Sequence, residues 1–144
     1  MWPEALEFQI RFDHIKKQNH TGDFWNCGVN FTWSQGPNHS FLAEGSGGKL
    51  TPSREGEHRA AENAMVHTLN DQWNECELIV MGDAYAIIKV NGKILNYATQ
   101  LSKAVGPIAM QAETAEIFYR NLKIKEFAED RPASEFLQAA SPNP

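Results

Sequence analysis

Hydrophobic and polar positions alternate with a period of two along much of the chain, most clearly over residues 73–127, WNECELIVMGDAYAIIKVNGKILNYATQLSKAVGPIAMQAETAEIFYRNLKIKEF. Residues 75–81 and 85–90 are aliphatic, β-branched runs parted by Gly82-Asp83. Asn91-Gly92 closes the second run with a dipeptide that accepts positive φ at both centres of a type I′ turn, so the pattern predicts a hairpin and then a meander. A third run, 93–97, leaves that turn, and runs 107–112 and 116–127 follow with Glu113-Thr114 between them. Trp73, at the opening of the hairpin, is expected to be buried against a facing sheet. With little helical periodicity anywhere, the fold class is all-β, a sandwich.

Upstream, residues 5–12 place Leu6, Phe8, Ile10 and Phe12 on one face and Glu7, Gln9, Arg11 and Asp13 on the other, the signature of a half-buried strand. Residues 14–22, HIKKQNHTG, are polar and predict a loop. Residues 23–33, DFWNCGVNFTW, alternate again, which assigns Trp25, Cys27, Val29, Phe31 and Trp33 to the core and Phe24, Asn26, Gly28, Asn30 and Thr32 to the opposite face. From 34 to 70 turn chemistry and mixed charges predict a long loop with one or two short strands. The sandwich domain is expected over 1–127. Residues 128–144 are expected to form a linker, a short helix over 132–140 with proline at its first position, and a flexible tail.

The chain has 144 residues, 42% of them hydrophobic, enough for one domain around one core. Its formal net charge of -5 offers no basic face for nucleic acid or an anionic membrane. No run of 18 apolar residues is present, and the first residues lead into a strand without a signal-peptide pattern, so localisation is left open between cytosolic and already processed. Cys27 and Cys76 are the only cysteines and read as buried thiols, because two distant cysteines do not make a disulfide framework. His39, His58 and His67 lack zinc-site spacing, and EGSGGK lacks the strand-to-helix context of a phosphate loop.

Candidate chemistry concentrates near the N-terminus. Glu7, Gln9 and Arg11 share the polar face of the first strand, more acid, base and amide than solvation needs. His14 and His20 follow beside the carboxylates of Asp13 and Asp23, and imidazole titrates near neutrality, which suits a general base or a metal ligand; two exposed loop histidines would read the same way. Phe24 is a candidate for stacking on a sugar ring, whereas Trp25 and Trp33 read as packing residues. Arg120 falls on the apolar face of the last run, where a guanidinium needs a carboxylate or a ligand oxygen as partner.

The order of motifs resembles a known family. WPEALEFQ, TGDFW, then WN with an aliphatic strand, GD, a strand ending in NG, GPIAMQAE, and AEIFYRN followed by LKI are similar to the 3-keto-disaccharide hydrolase domain family. The likeness covers residues 2–127 and is poor between 33 and 70. It implies a concanavalin A-like, laminarinase-like jelly-roll sandwich, incomplete at the N-terminus because members carry further strands before the segment matching WPEALEFQ. It also implies cleavage of 3-keto-glycosides. The ketone acidifies the neighbouring C2-H, one base removes that proton, the C1 oxygen leaves by elimination, and water then adds. On that reading His20 or His14 is the base, Arg11 or a divalent cation stabilises the enolate, and Glu7 and Gln9 orient hydroxyls. Asp23, Phe24, Asn26 and Arg120 complete the substrate contacts. No cofactor is certain, and the metal is unknown. A non-catalytic carbohydrate-binding module, or an inactive truncated fragment, is the alternative. The expected partner is an oxidised glycoside, with self-association through an exposed sheet edge. The likeness suggests export of full-length relatives, a setting in which a Cys27–Cys76 disulfide would become plausible.

Overall fold

A computed structural model describes residues 3–62, 65–113 and 115–138. Its strands are β1 (Ala5–Phe8), β2 (Phe12–Asp13), β3 (Gln18–Asn19), β4 (Phe24–Cys27), β5 (Thr32–Gln35), β6 (Lys49–Pro52), β7 (Gly56–His58), β8 (Cys76–Met81), β9 (Tyr85–Val90) and β10 (Lys93–Thr99). Two 3-10 turns, Glu44–Ser46 and Ala133–Glu135, are the only helical segments among the described residues. The strands form a three-stranded sheet in the order β1-β4-β7, a five-stranded sheet in the order β6-β5-β10-β9-β8, and a small ribbon of β2 and β3. All strand pairs are antiparallel, and the chain is a β-sandwich.

The meander forms as the turn residues require. Asn91 and Gly92 have φ of 51° and 74°, and Val90 pairs with Lys93 across them. At Ile94/Asn96 the β10 register slips by a bulge, which lets both Leu95 and Asn96 point into the interior. Between the sheets, Phe24, with Leu6 and Phe8 packed against it, meets Trp33, Ala86, Ile88, Val90, Leu95 and Ala98. Asn96 is fully buried and acts as a polar staple. Its Oδ1 accepts from Trp33 Nε1 at 2.8 Å, and its Nδ2 donates to Gly22 O at 3.2 Å and His58 O at 3.0 Å.

Several expectations are corrected. Residues 23–33 are two strands in two sheets, and the parity of alternation changes where the chain turns at Gly28, φ 100°. Phe24 and Asn26 therefore face inward, fully buried, while Trp25 and Cys27 face outward and are only part-buried. Val29, Phe31 and Trp33 are core, as their pattern predicts. No strand forms over 107–112 or 116–127 among the described residues. Asn121 adopts a left-handed φ of 55°, which interrupts any extended run there. Trp73 is 46% exposed rather than buried.

The segment expected to be a linker lies against the molecule. Phe127, Ala133, Phe136 and Leu137 pack on Ile79, Met81, Tyr85 and Ile87, which form the outer face of the five-stranded sheet. Tyr85 Oη donates to Arg131 O. The expected helix over 132–140 is a single 3-10 turn as far as residue 138, and its last two residues lie outside the described residues.

Candidate functional site

The three-stranded sheet sets the site through its register. Glu7 pairs with Trp25 and Trp25 with Glu57, so the three side chains stand in one row on the outward face. The row beside it, Phe8, Phe24 and His58, points into the core. Glu7 is half-buried and accepts a hydrogen bond from Gln9 Nε2 at 2.9 Å. Burial, and then the nearby Glu113 carboxylate, push its pKa above the ordinary value.

At one end of this row the chain doubles back from β3 into β4. Gln9 N–H donates to Asp23 O, and Gly22 N–H donates to Gln9 O, each at 3.0 Å. Gly22 takes φ 98°, and a Cβ there would meet Leu95 Cδ1 at 2.6 Å, so only glycine allows the turn to sit this close to the core. The turn buries His20 and Asp23. Asp23 Oδ1 accepts from Ala60 N–H at 2.7 Å, and its Oδ2 lies 3.1 Å from His20 Nδ1. Glu57 Oε1 also meets His20 Nδ1. Arg59, next but one after Glu57, brings NH1 to 3.0 Å from His20 Nδ1 and 3.6 Å from Asp23 Oδ2, and its NH2 donates to Asn19 O at 3.0 Å.

Nδ1 cannot both donate to carboxylates and accept from a guanidinium. Two acceptor carboxylates against one donor assign the proton to Nδ1, which leaves the lone pair on Nε2; Arg59 then serves as counter-ion to the acids. Burial dominates at Asp23 and raises its pKa to about 6, against the lowering effect of the Ala60 N–H and of Arg59; Glu57 adds to the rise. The cluster is thus a histidine with its carboxylate support, one member of which titrates near neutrality.

His20, Asp23 and Glu57 bring one donor atom each within 4.8 Å of one another, a set that could hold a divalent ion. Arg59 is already within 3.9 Å of all three, so a metal would fit only after the guanidinium withdrew.

The other sequence candidates fall elsewhere. His14 is exposed at the end of the β2–β3 ribbon, its ring edge-on to Phe12 at 5.7 Å. Arg11 is exposed and reaches Asp13 at 3.6 Å. Phe24 is in the core rather than on an open face. Asn26 is spent on structure, donating to Ser53 Oγ at 3.1 Å and accepting from Gly28 N–H at 2.7 Å. Arg120 is exposed, with Cζ 4.1 Å from the centre of the Trp73 ring, so among the described residues an aromatic face partners it where a carboxylate was expected. Cys27 and Cys76 are free thiols, the first part-buried and the second exposed. Glu57, Arg59 and the outward Trp25 are the residues that sequence reasoning missed; the signal for the first two was the alternation about His58 in GEHR. An apolar hollow of about 430 Å³, lined by Leu50, Ile94, Tyr97 and Leu137 among others, lies on the outer face of the five-stranded sheet; Glu44 is the one ionisable carboxylate in its lining, and no histidine, lysine or arginine joins it.

Neither a curated protein nor a solved structure matches the chain. A family model for the 3-keto-alpha-glucoside-1,2-lyase-like domain matches residues 1–125. With most of its length inside that match, the chain belongs to the 3-keto-alpha-glucoside-1,2-lyase-like domain family, and its function is carbohydrate-related.

Proposed function

We propose that the outward face of the three-stranded sheet cleaves 3-keto-glycosides by elimination across C1–C2 followed by hydration. The observation that carries this reading is the continuity of Glu7, Trp25 and Glu57 in one row with His20, Asp23 and Arg59 at its end. Trp25 offers a flat apolar surface between two carboxylates, a platform for one sugar ring. His20 Nε2 takes the C2 proton. Asp23 and Glu57 hold the ring through Nδ1–H and stabilise the imidazolium that forms. Arg59 is the cation nearest the developing enolate oxygen at C3. The enolate then expels the C1 oxygen. Glu7, whose carboxyl is raised by burial, protonates that leaving group, and Gln9 keeps the carboxyl aligned. Water finally adds across C1=C2, its hydroxyl at C1 and its proton at C2, which completes a net hydrolysis.

The test is turnover of a 3-keto-glycoside beside the matching unoxidised glycoside. His20→Ala should lower kcat by roughly 10²- to 10⁴-fold, as loss of a general base does, and should abolish exchange of the C2 proton in deuterated water. Trp25→Ala should raise KM more than it lowers kcat. A chelator should leave turnover unchanged. Equal cleavage of oxidised and unoxidised sugars would refute the elimination, because without the ketone no protein base removes C2-H at neutral pH. Sugar binding that needs Trp25, with no turnover of either compound, would make the same face a binding module.

A further inference from the structure

β8 is one edge of the five-stranded sheet, β6 the other. On the core-facing side Leu78 and Val80 are 47% and 50% exposed, although their register partners Ile88 and Ala86 on β9 are fully buried. The same chain supplies a run, Leu122-Lys123-Ile124-Lys125, in which Leu122 and Ile124 are 69% and 77% exposed. Among the described residues no backbone hydrogen bond involves positions 116–126.

From these observations we infer that two copies of this chain associate by strand exchange, the 122–125 run of each adding to the β8 edge of the other. The sequences of edge and run are complementary. β8 carries CELIVM, strongly β-forming, with one charge and none on the core-facing side, so it lacks the usual protection of an edge strand. When Leu122 and Ile124 lie beside Leu78 and Val80, period two puts Lys123 and Lys125 on the other face, which is the face of Glu77. Glu77 has 57% of its side chain exposed and one cation, Lys89, at 3.6 Å, leaving room for a second.

Arg120 stacked on Trp73 anchors the start of the run near its own β8. In the single chain the run does not dock on its own edge, since no backbone hydrogen bond among the described residues joins 122–125 to β8. Edge and run are both left for a second copy, and the exchange closes on itself with two-fold symmetry. Asn121, left-handed in the single chain, returns to an extended φ when the run pairs.

Sedimentation of the whole chain at micromolar concentration is expected to give a mass of twice 16.2 kDa. Ile124→Glu and Val80→Lys each place a charge in the seam at a half- or mostly exposed position, so each chain keeps its own core, as circular dichroism should show. Each should weaken association by roughly 30-fold or more. Mixing the two variants should restore dimers that contain one of each, because one intact edge then meets one intact run. A monomer at every concentration, or a dimer indifferent to both substitutions, would overturn the inference.

Discussion

Asp23→Asn probes the site and the fold together. In the folded chain the Asp23 carboxyl titrates at about 6 rather than 3.8, because burial disfavours its charge more than the Ala60 N–H and Arg59 favour it. A raised folded pKa contributes stability that is fully present below the unfolded value and is lost as pH rises through the folded one. At about 1.4 kcal/mol per pH unit, the loss from Asp23 alone amounts to roughly 3 kcal/mol between pH 3.8 and about 6. Asparagine keeps an oxygen for the Ala60 N–H and cannot ionise. The stability of the variant minus that of the wild type should therefore rise by roughly 3 kcal/mol from below pH 3.8 to neutral pH. Urea unfolding of both proteins across that range measures the difference, and subtraction removes the titrations they share, including His58, whose pKa burial depresses. The same variant should lose most turnover, since His20 loses its buried anionic partner. A stability difference flat with pH would show that Asp23 is solvated or already neutralised, and the charge assignment of the cluster would fall with it.

Asn96→Ala should cost about 2–4 kcal/mol in denaturant titration, because it leaves Trp33 Nε1, Gly22 O and His58 O buried without their partner; a loss below about 0.5 kcal/mol would mean that water replaces it. Trp73→Ala should cost only about 1 kcal/mol, the scale of an exposed cation–π pair with Arg120, and not the several kcal/mol of a core tryptophan. A loss above about 3 kcal/mol would show that Trp73 is buried in solution.

What the sequence made legible was local. Asn91-Gly92 demanded its turn and with it the pairing of Val90 with Lys93, although not the bulge that shifts the register at Ile94/Asn96. Alternation failed where it was extended across a bend. DFWNCGVNFTW looks like one strand because hydrophobic residues recur at 25, 27, 29, 31 and 33, yet the chain leaves one sheet after Cys27 and enters the other at Thr32. Parity is a property of a continuous strand, so the left-handed turn at Gly28 resets it and puts Phe24 inside and Trp25 outside. Residues 116–127 fail for another reason: their period is right, but a strand also needs a hydrogen-bonding neighbour, and composition does not name one.

The site divides along the same line. His20 and Asp23 were legible because they sit within three residues of each other, and a histidine beside a carboxylate is a local pattern. Glu57 and Arg59 come from 34 and 36 residues beyond Asp23, within REGEHRAAEN, where balanced charges read as a solvated loop. Only the pairing of Trp25 with Glu57 carries them to the cluster. Asn96, farther still along the chain, ties that pairing down by taking hydrogen bonds to Gly22 O and His58 O, one residue from Asp23 and one from both Glu57 and Arg59. The chemistry of this face therefore depends on a buried amide that touches none of its charged groups. Asn96→Asp, which keeps an acceptor for Trp33 but loses both donated bonds, should reduce turnover through misplacement of the cluster while sugar contact at Trp25 persists. Activity unchanged in a folded Asn96→Asp protein would show that the turn and β7 hold the cluster without it.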